Sequence, residues 1–165
     1  MAQKAQREQF RDLVGSFATA MLVTHGEDGA LRARPMSLAS ADEDGDLWFA
    51  SGIDSGKINE LLHDRRVAVV MQSASRFVSI SGEAEVIVNA EKAAELWNEA
   101  FRPWYPKGPE DPELALVHVR TRDAEYWDLS GLRGVRYVFD AVKHVVRGER
   151  MSDEPAQHHG KVSLA

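Results

Sequence analysis

The 165-residue sequence contains no cysteine, which excludes a disulfide framework, thiolate zinc sites and cysteine nucleophiles, and fits a reducing compartment. Long apolar runs are also missing. Nothing approaches the ~20 residues that span a bilayer as a helix, and the N-terminal "MAQKAQREQF" lacks the apolar core of a secretory signal. Positive charge is in deficit: 20 Lys and Arg face 26 Asp and Glu, for a net charge of −6. The cations are scattered, which argues against a nucleic-acid surface and leaves room for a small anion held by a local cluster. These absences give the expectation of a cytoplasmic protein with neither a membrane nor a nucleic-acid partner. The histidines at 25, 63, 118, 144, 158 and 159 show no H-E-x-x-H spacing, so no metal site is expected. No serine sits in a G-x-S-x-G elbow, and Glu83 and Glu85 read as one solvated strand face.

What is present is an ordinary globular composition, 44% hydrophobic, suited to one domain over residues 1–150 with a polar, flexible tail over 151–165. Phe10, Leu13, Val14 and Phe17 recur at helical spacing and predict an amphipathic helix over 4–18. "AMLVTH" and "ALRARPMSLAS" flank the turn signal "GEDG", and "DEDGD" leads into "LWFAS", giving three consecutive antiparallel strands. "KINELLHD" reads as a short helix with Ile58, Leu61 and Leu62 on one face, and "VAVVMQ" as a buried strand. "RFVSISGEAEVIV" is a longer strand with a bulge or bend at Gly82. Asn89 is placed to cap a helix through "AEKAAELWNEAF". A four-proline loop follows, then "LALVHVR" and "AEYWDL" as a strand pair, "VRYVFD" as a further strand, and a short helical stretch closed by Gly148. The fold class expected is mainly β with flanking helices, a closed or partly closed antiparallel barrel.

Two clusters carry chemistry. In "LRARPMSLAS", Arg32 and Arg34 stand on the same strand face ~7 Å apart, and like charges that close need an anion or open water. Pro35 has no amide hydrogen, so the strand there is an edge, a bulge or a break. On this stretch alone, solvated arginines and an anion site are both open readings. "SGIDSGK" leaves a strand and puts Lys57 at a helix start, where free amides and the helix dipole favour an anion. It is not a P-loop: three residues instead of four separate Gly52 from Gly56, and Ile58 occupies the magnesium-binding position. In a meander, Arg34, Ser51, Ser55 and Lys57 can converge on one anion.

The order "RARPMSLAS", "LWFAS", "DSGK", "SGEAEV" and "AEYWD", with "WYPKGPEDPELALVHV" between the last two, resembles the pyridoxamine 5'-phosphate oxidase-like FMN-binding split barrels, in their general stress protein branch. The resemblance implies a split-barrel homodimer holding FMN in clefts between the subunits. It implies that Arg34 and Lys57 grip the phosphate, that Ser51, Ser55 and Gly56 donate around it, and that the Pro35 and Met36 backbone lies beside the flavin ring. Trp127 matches a tryptophan contributed by the partner. Arg32 belongs to the cofactor neighbourhood or pairs with a surface acid. True oxidases of the family carry a lysine where this chain has Ala39. They follow the tryptophan with an R-L-H-D-R motif in which only Arg133 matches, Val135 and Tyr137 replacing its histidine and last arginine. The vitamin-phosphate site is therefore not preserved. The function expected is that of a flavin-dependent oxidoreductase acting on another small molecule, with no catalytic side chain named; the alternative is a non-catalytic flavin-binding or flavin-sensing stress protein. Trp48 and Trp97 read as core, and Trp104 as a border of a substrate cleft.

Overall fold

The N-terminal apolar stripe forms helix α1, Ala2–Gly15, which buries Phe10, Leu13 and Val14 and ends three residues earlier than the spacing predicts. This computed structural model describes residues 2–130 and 159–164. The expected strand at "VRYVFD", the helical stretch before Gly148, and Arg133, Val135 and Tyr137 lie outside the described residues.

Strands β1 (Thr19–His25), β2 (Leu31–Ala41) and β3 (Leu47–Gly52) form the expected meander. Helix α2, Gly56–His63, follows, and then β4 (Arg66–Gln72) and β5 (Arg76–Ile87). Helix α2 buries Ile58 and Leu61 but leaves Leu62 exposed, so its apolar face is narrower than expected. Helix α3, Ala90–Leu96, is capped by Asn89, whose side chain accepts from the Lys92 amide at 2.9 Å. It stops well short of Phe101, which belongs to a separate 3-10 turn.

"LALVHVR" and "AEYWDL" are not a strand pair. They form one continuous strand, β6, Leu114–Asp128, because the polar stretch between them is absorbed by a bulge: Ser81 pairs with Asp123 and Gly82 with Thr121, leaving Arg122 as the extra residue. Gly82 is required there, since a Cβ at this position would stand 2.2 Å from the Arg120 carbonyl oxygen. The chain end also differs from the expectation. Within the segment read as a flexible tail, His159–Ser163 form β7, which pairs with the second half of β6.

All pairings are antiparallel, in the order β3-β2-β1-β4-β5-β6-β7, and a further β3–β6 pairing closes the first six strands into a barrel. Its core centres on Leu22, Phe49, Val69, Ile80 and Val117. A second apolar cluster outside the barrel packs Trp48, Ala93, Phe101 and Tyr105 against Leu114 and Leu116. That cluster orders the proline-rich loop. Asp111 is buried at its centre and accepts from the Lys107 and Glu113 amides, both at 3.1 Å.

The barrel is split at one seam. The β2–β3 ladder runs through Ala41, Ser40 and Leu38 with a bulge at Ala39, and goes no further. Leu31–Ser37 therefore pair only with β1, and Ala50–Gly52 only with β6. Pro35 sits on the open half of β2, where its missing amide costs no ladder bond.

Candidate site at the barrel split

A cavity of about 400 Å³ opens at this seam, between Pro35, Met36 and Ser37 on β2 and Ala50, Ser51 and Gly52 on β3. Lys57 forms part of its wall, and Phe101, Trp104, Tyr105 and Glu113 from the proline-rich loop form another part. Trp104 borders the cavity as expected and is largely exposed. Trp48 and Trp97 are packed instead. Trp48 is buried and stacks on His118 at 4.0 Å, and Trp97 meets the Phe101 ring edge-on at 6.0 Å.

The start of α2 is arranged around Lys57. Ser55 occupies the N-cap position, but its hydroxyl does not cap the helix; it lies 3.2 Å from the buried Ser51 hydroxyl. The Lys57 ammonium donates to both hydroxyls, to Ser51 Oγ at 3.0 Å and Ser55 Oγ at 3.2 Å. Among the described residues no carboxylate lies within ion-pair distance of it. Burial and then the nearby Arg34 charge push the Lys57 ammonium below its ordinary range, while Glu60 acts in the opposite sense. This is an under-compensated cation at a helix N-terminus, two features that favour an anion.

Arg34 is placed otherwise. It stands with Arg32 on one side of β2, as strand parity requires, but the anion between them is the chain's own. Arg34 pairs with Glu60 Oε2 at 2.8 Å and donates to Thr24 Oγ1 at 2.6 Å, while Arg32 lies 3.7 Å from Glu60 Oε1. Arg32 is also held at 2.7 Å by Asp28 in the preceding turn, the surface pairing that was one of its two expected roles. Neither arginine lines the cavity. Arg34 acts on Lys57 through its field, and the convergence expected for Arg34, Ser51, Ser55 and Lys57 is met by the last three alone. Glu60 is the site residue that local spacing does not give: three residues after Lys57 on α2 it would be read as that lysine's partner, whereas it pairs with the two arginines of β2.

Trp127 lies near the far end of β6 from Leu114, the residue paired with Gly52 beside the cavity. It stacks on His159 with ring centroids 4.9 Å apart. It does not line the cavity of its own chain, so only a second copy could bring it there.

Asp42, Asp46 and His118 bring three possible metal-ligand atoms within 4.8 Å of one another. These groups have structural partners: Asp42 accepts the Asp44 and Asp46 amides, and Asp46 accepts the Thr121 amide and pairs with His118 at 3.1 Å. They clamp the β2–β3 turn to β6.

Residues 5–152 match the family model described as "Pyridoxamine 5'-phosphate oxidase like". The chain belongs to this family. Among solved structures it is similar to the general stress FMN/FAD binding protein of Xanthomonas citri, at 32% identity over 76% of this chain and 89% of that one, with a TM-score of 0.64. It shares its fold with general stress protein 26 of Bacillus anthracis, at 20% identity, covering 76% and 94% of the two chains, TM-score 0.65. A Clostridium acetobutylicum protein related to general stress protein 26 also shares it, at 17% identity, covering 76% and 89%, TM-score 0.67. No curated protein matches. Within the family, this chain places Ala39 at the β2 bulge, packed beside the outer apolar cluster. A methyl group there offers nothing to a charged substrate. No helix among the described residues is long and apolar enough to cross a membrane.

Proposed function

We propose that this chain binds FMN at the barrel split through its phosphate, does so as a homodimer, and is a flavin-dependent oxidoreductase acting on a small molecule other than pyridoxamine 5'-phosphate. The observation that carries the reading is Lys57, a half-buried ammonium held by two serine hydroxyls and without a carboxylate in ion-pair reach. A phosphate monoester would complete its charge and accept from the Ser51 and Ser55 hydroxyls and the first amides of α2. The family relative from X. citri, described as an FMN/FAD binding protein, supports a flavin as the molecule bearing that phosphate.

Bound flavin supplies hydride and electron transfer. The chain's part is to hold the phosphate with Lys57, Ser51 and Ser55, to present the unpaired Pro35–Ser37 edge, and to shield one wall with the aromatic loop. Arg34 keeps Glu60 engaged, so that this carboxylate does not neutralise Lys57.

The outer face of the barrel supports a dimer. On β1, β2 and β4 it presents Met21 paired with Pro35 and with Val70, and Met21 and Val70 are each 39% exposed in the single chain. Alternation puts Phe77 and Trp127, a cross-strand pair on β5 and β6, on the same outer face. Pro35 at the cavity and Trp127 thus occupy opposite ends of one outer face, on which Met21, Val70 and Phe77 are interspersed with the polar Gln72 and Ser79. Two-fold packing of this surface on itself brings Trp127 of each copy toward the cavity of the other.

Titration of purified protein with FMN, followed by quenching of flavin fluorescence, tests the binding reading. Saturable binding is expected, and no binding would remove it. Anaerobic addition of NADH or NADPH to the loaded protein, followed at the flavin absorption band, tests the redox reading. Bleaching of the band is expected, whereas persistent oxidised flavin with every donor would favour the non-catalytic flavin-binding alternative.

A further inference from the structure

The cavity has a second polar group that the phosphate reading does not use. Tyr105 is 9% exposed and lines the cavity, yet its hydroxyl has no hydrogen-bond partner among the described residues. Its ring is accounted for by packing in the outer apolar cluster. The hydroxyl is not accounted for, since phenylalanine would fill the same space and a buried phenol without an acceptor is unfavourable.

The wall that carries Tyr105 is built in advance. Asp111 ties the loop through two backbone amides, and the Ile53 amide donates to the Glu113 carbonyl at 2.8 Å, fixing the loop to the end of β3. Burial, reinforced by the Asp111 and Glu113 carboxylates, holds the phenol above its ordinary range. The group is therefore a donor throughout the physiological pH range. Trp104, exposed at the rim, offers an aromatic face next to it.

Resting on the flavin reading above, we propose that Tyr105 is the ring-recognition residue of this cavity: its hydroxyl donates a hydrogen bond to a ring acceptor of the planar heterocycle whose phosphate Lys57 holds, with Trp104 beside it as an apolar wall. The isoalloxazine ring carries carbonyl and imine acceptors along one edge, which is the chemistry an unpartnered phenol matches. Lys57 would then select for the phosphate and Tyr105 for the ring.

Tyr105→Phe keeps the packed ring and removes only the donor, and a thermal melt confirms that the variant is folded. Calorimetric titration with FMN and with riboflavin separates the two ends of the ligand. Tyr105→Phe is expected to weaken both flavins by the same factor, roughly five- to tenfold for the loss of one neutral hydrogen bond, and to shift the absorption bands of bound flavin. Lys57→Met is expected to weaken FMN alone. Unchanged affinity for both flavins in Tyr105→Phe, with wild-type binding of FMN intact, would overturn the Tyr105 assignment and leave the flavin reading standing. Weakening of FMN but not riboflavin would also overturn it, by placing the hydroxyl at the phosphate. Failure of the wild-type protein to bind FMN would remove both readings.

Discussion

Replacing Lys57 with methionine keeps much of the side-chain bulk and deletes the charge. The ammonium donates to Ser51 Oγ at 3.0 Å and Ser55 Oγ at 3.2 Å and has no carboxylate within ion-pair distance among the described residues. A bound phosphate therefore gains a charge-assisted hydrogen bond without first displacing a competing anion. Such a bond is worth roughly 1.5–3 kcal/mol, and at about 1.4 kcal/mol per tenfold the Kd for FMN should rise roughly 10- to 150-fold. Riboflavin has no phosphate, and its affinity should stay within about a factor of two. The unliganded protein gives an independent readout. Because burial and Arg34 lower the Lys57 pKa in the folded state, the unfolded chain binds this proton more tightly. Wild-type stability should accordingly rise with pH between the lowered folded value and the ordinary lysine value, and that rise should be absent from Lys57→Met. Isothermal titration with both flavins and urea melts across an alkaline pH series measure the two effects. Equal weakening of FMN and riboflavin, or none of either, would refute the phosphate assignment.

Gly82→Ala sets a Cβ 2.2 Å from the Arg120 carbonyl oxygen and should cost about 3 kcal/mol, the upper end for overpacking, read as a lowered urea midpoint; an unchanged midpoint would show that the β5–β6 bulge yields freely. Burial tends to raise the Glu60 pKa, but hydrogen bonds from Thr24 and Arg34 outweigh it and hold the pKa lowered. The stabilisation Glu60 gives is full above the ordinary carboxylate value and is lost as pH falls through the lowered folded value. Glu60→Gln should destabilise the protein by about 2 kcal/mol at neutral pH, and the difference from wild type should shrink in that acid window; a pH-independent difference contradicts the assignment. Mixing a Lys57→Ala chain with a Trp127→Ala chain should restore one tight FMN site per heterodimer, because one cleft then receives both damaged residues and the other neither. No restoration in verified heterodimers would place Trp127 outside the shared cleft.

The barrel was largely legible because most of its strands obey a period of two and its turns carry Gly and Asp signals. β4 alternates buried and less buried residues along its whole length, and Gly82 marks the place on β5 that faces the bulge, whose extra residue, Arg122, lies on β6. β6 was read as two strands, "LALVHVR" and "AEYWDL", divided at the polar end of "RTRD". What keeps the strand continuous is the Gly82 backbone on β5, a tertiary fact invisible within "RTRD" itself. β7 was missed because a five-residue strand lacks a pattern of its own: its place is set by the edge of β6 that β3 vacates beyond Val119. At the site, Lys57, Ser51 and Ser55 were readable from local spacing. The parity of Arg32 and Arg34 was readable too. Their partner was not, since Glu60 reaches them only once α2 has folded back toward β1 and β2. Tyr105 was hidden by its neighbour: the proline-rich loop exposes Trp104 and buries the next residue.

The seam between β2 and β3 should receive the phosphate of FMN, and a crystal structure of the protein grown with FMN decides this. A phosphate oxygen within hydrogen-bonding distance of Lys57 Nζ and the Ser51 and Ser55 hydroxyls, with the ring along Pro35–Ser37, is the predicted result. A phosphate seated elsewhere, for instance in the cavity of about 360 Å³ lined by Arg7, Arg120 and Arg122, would contradict it.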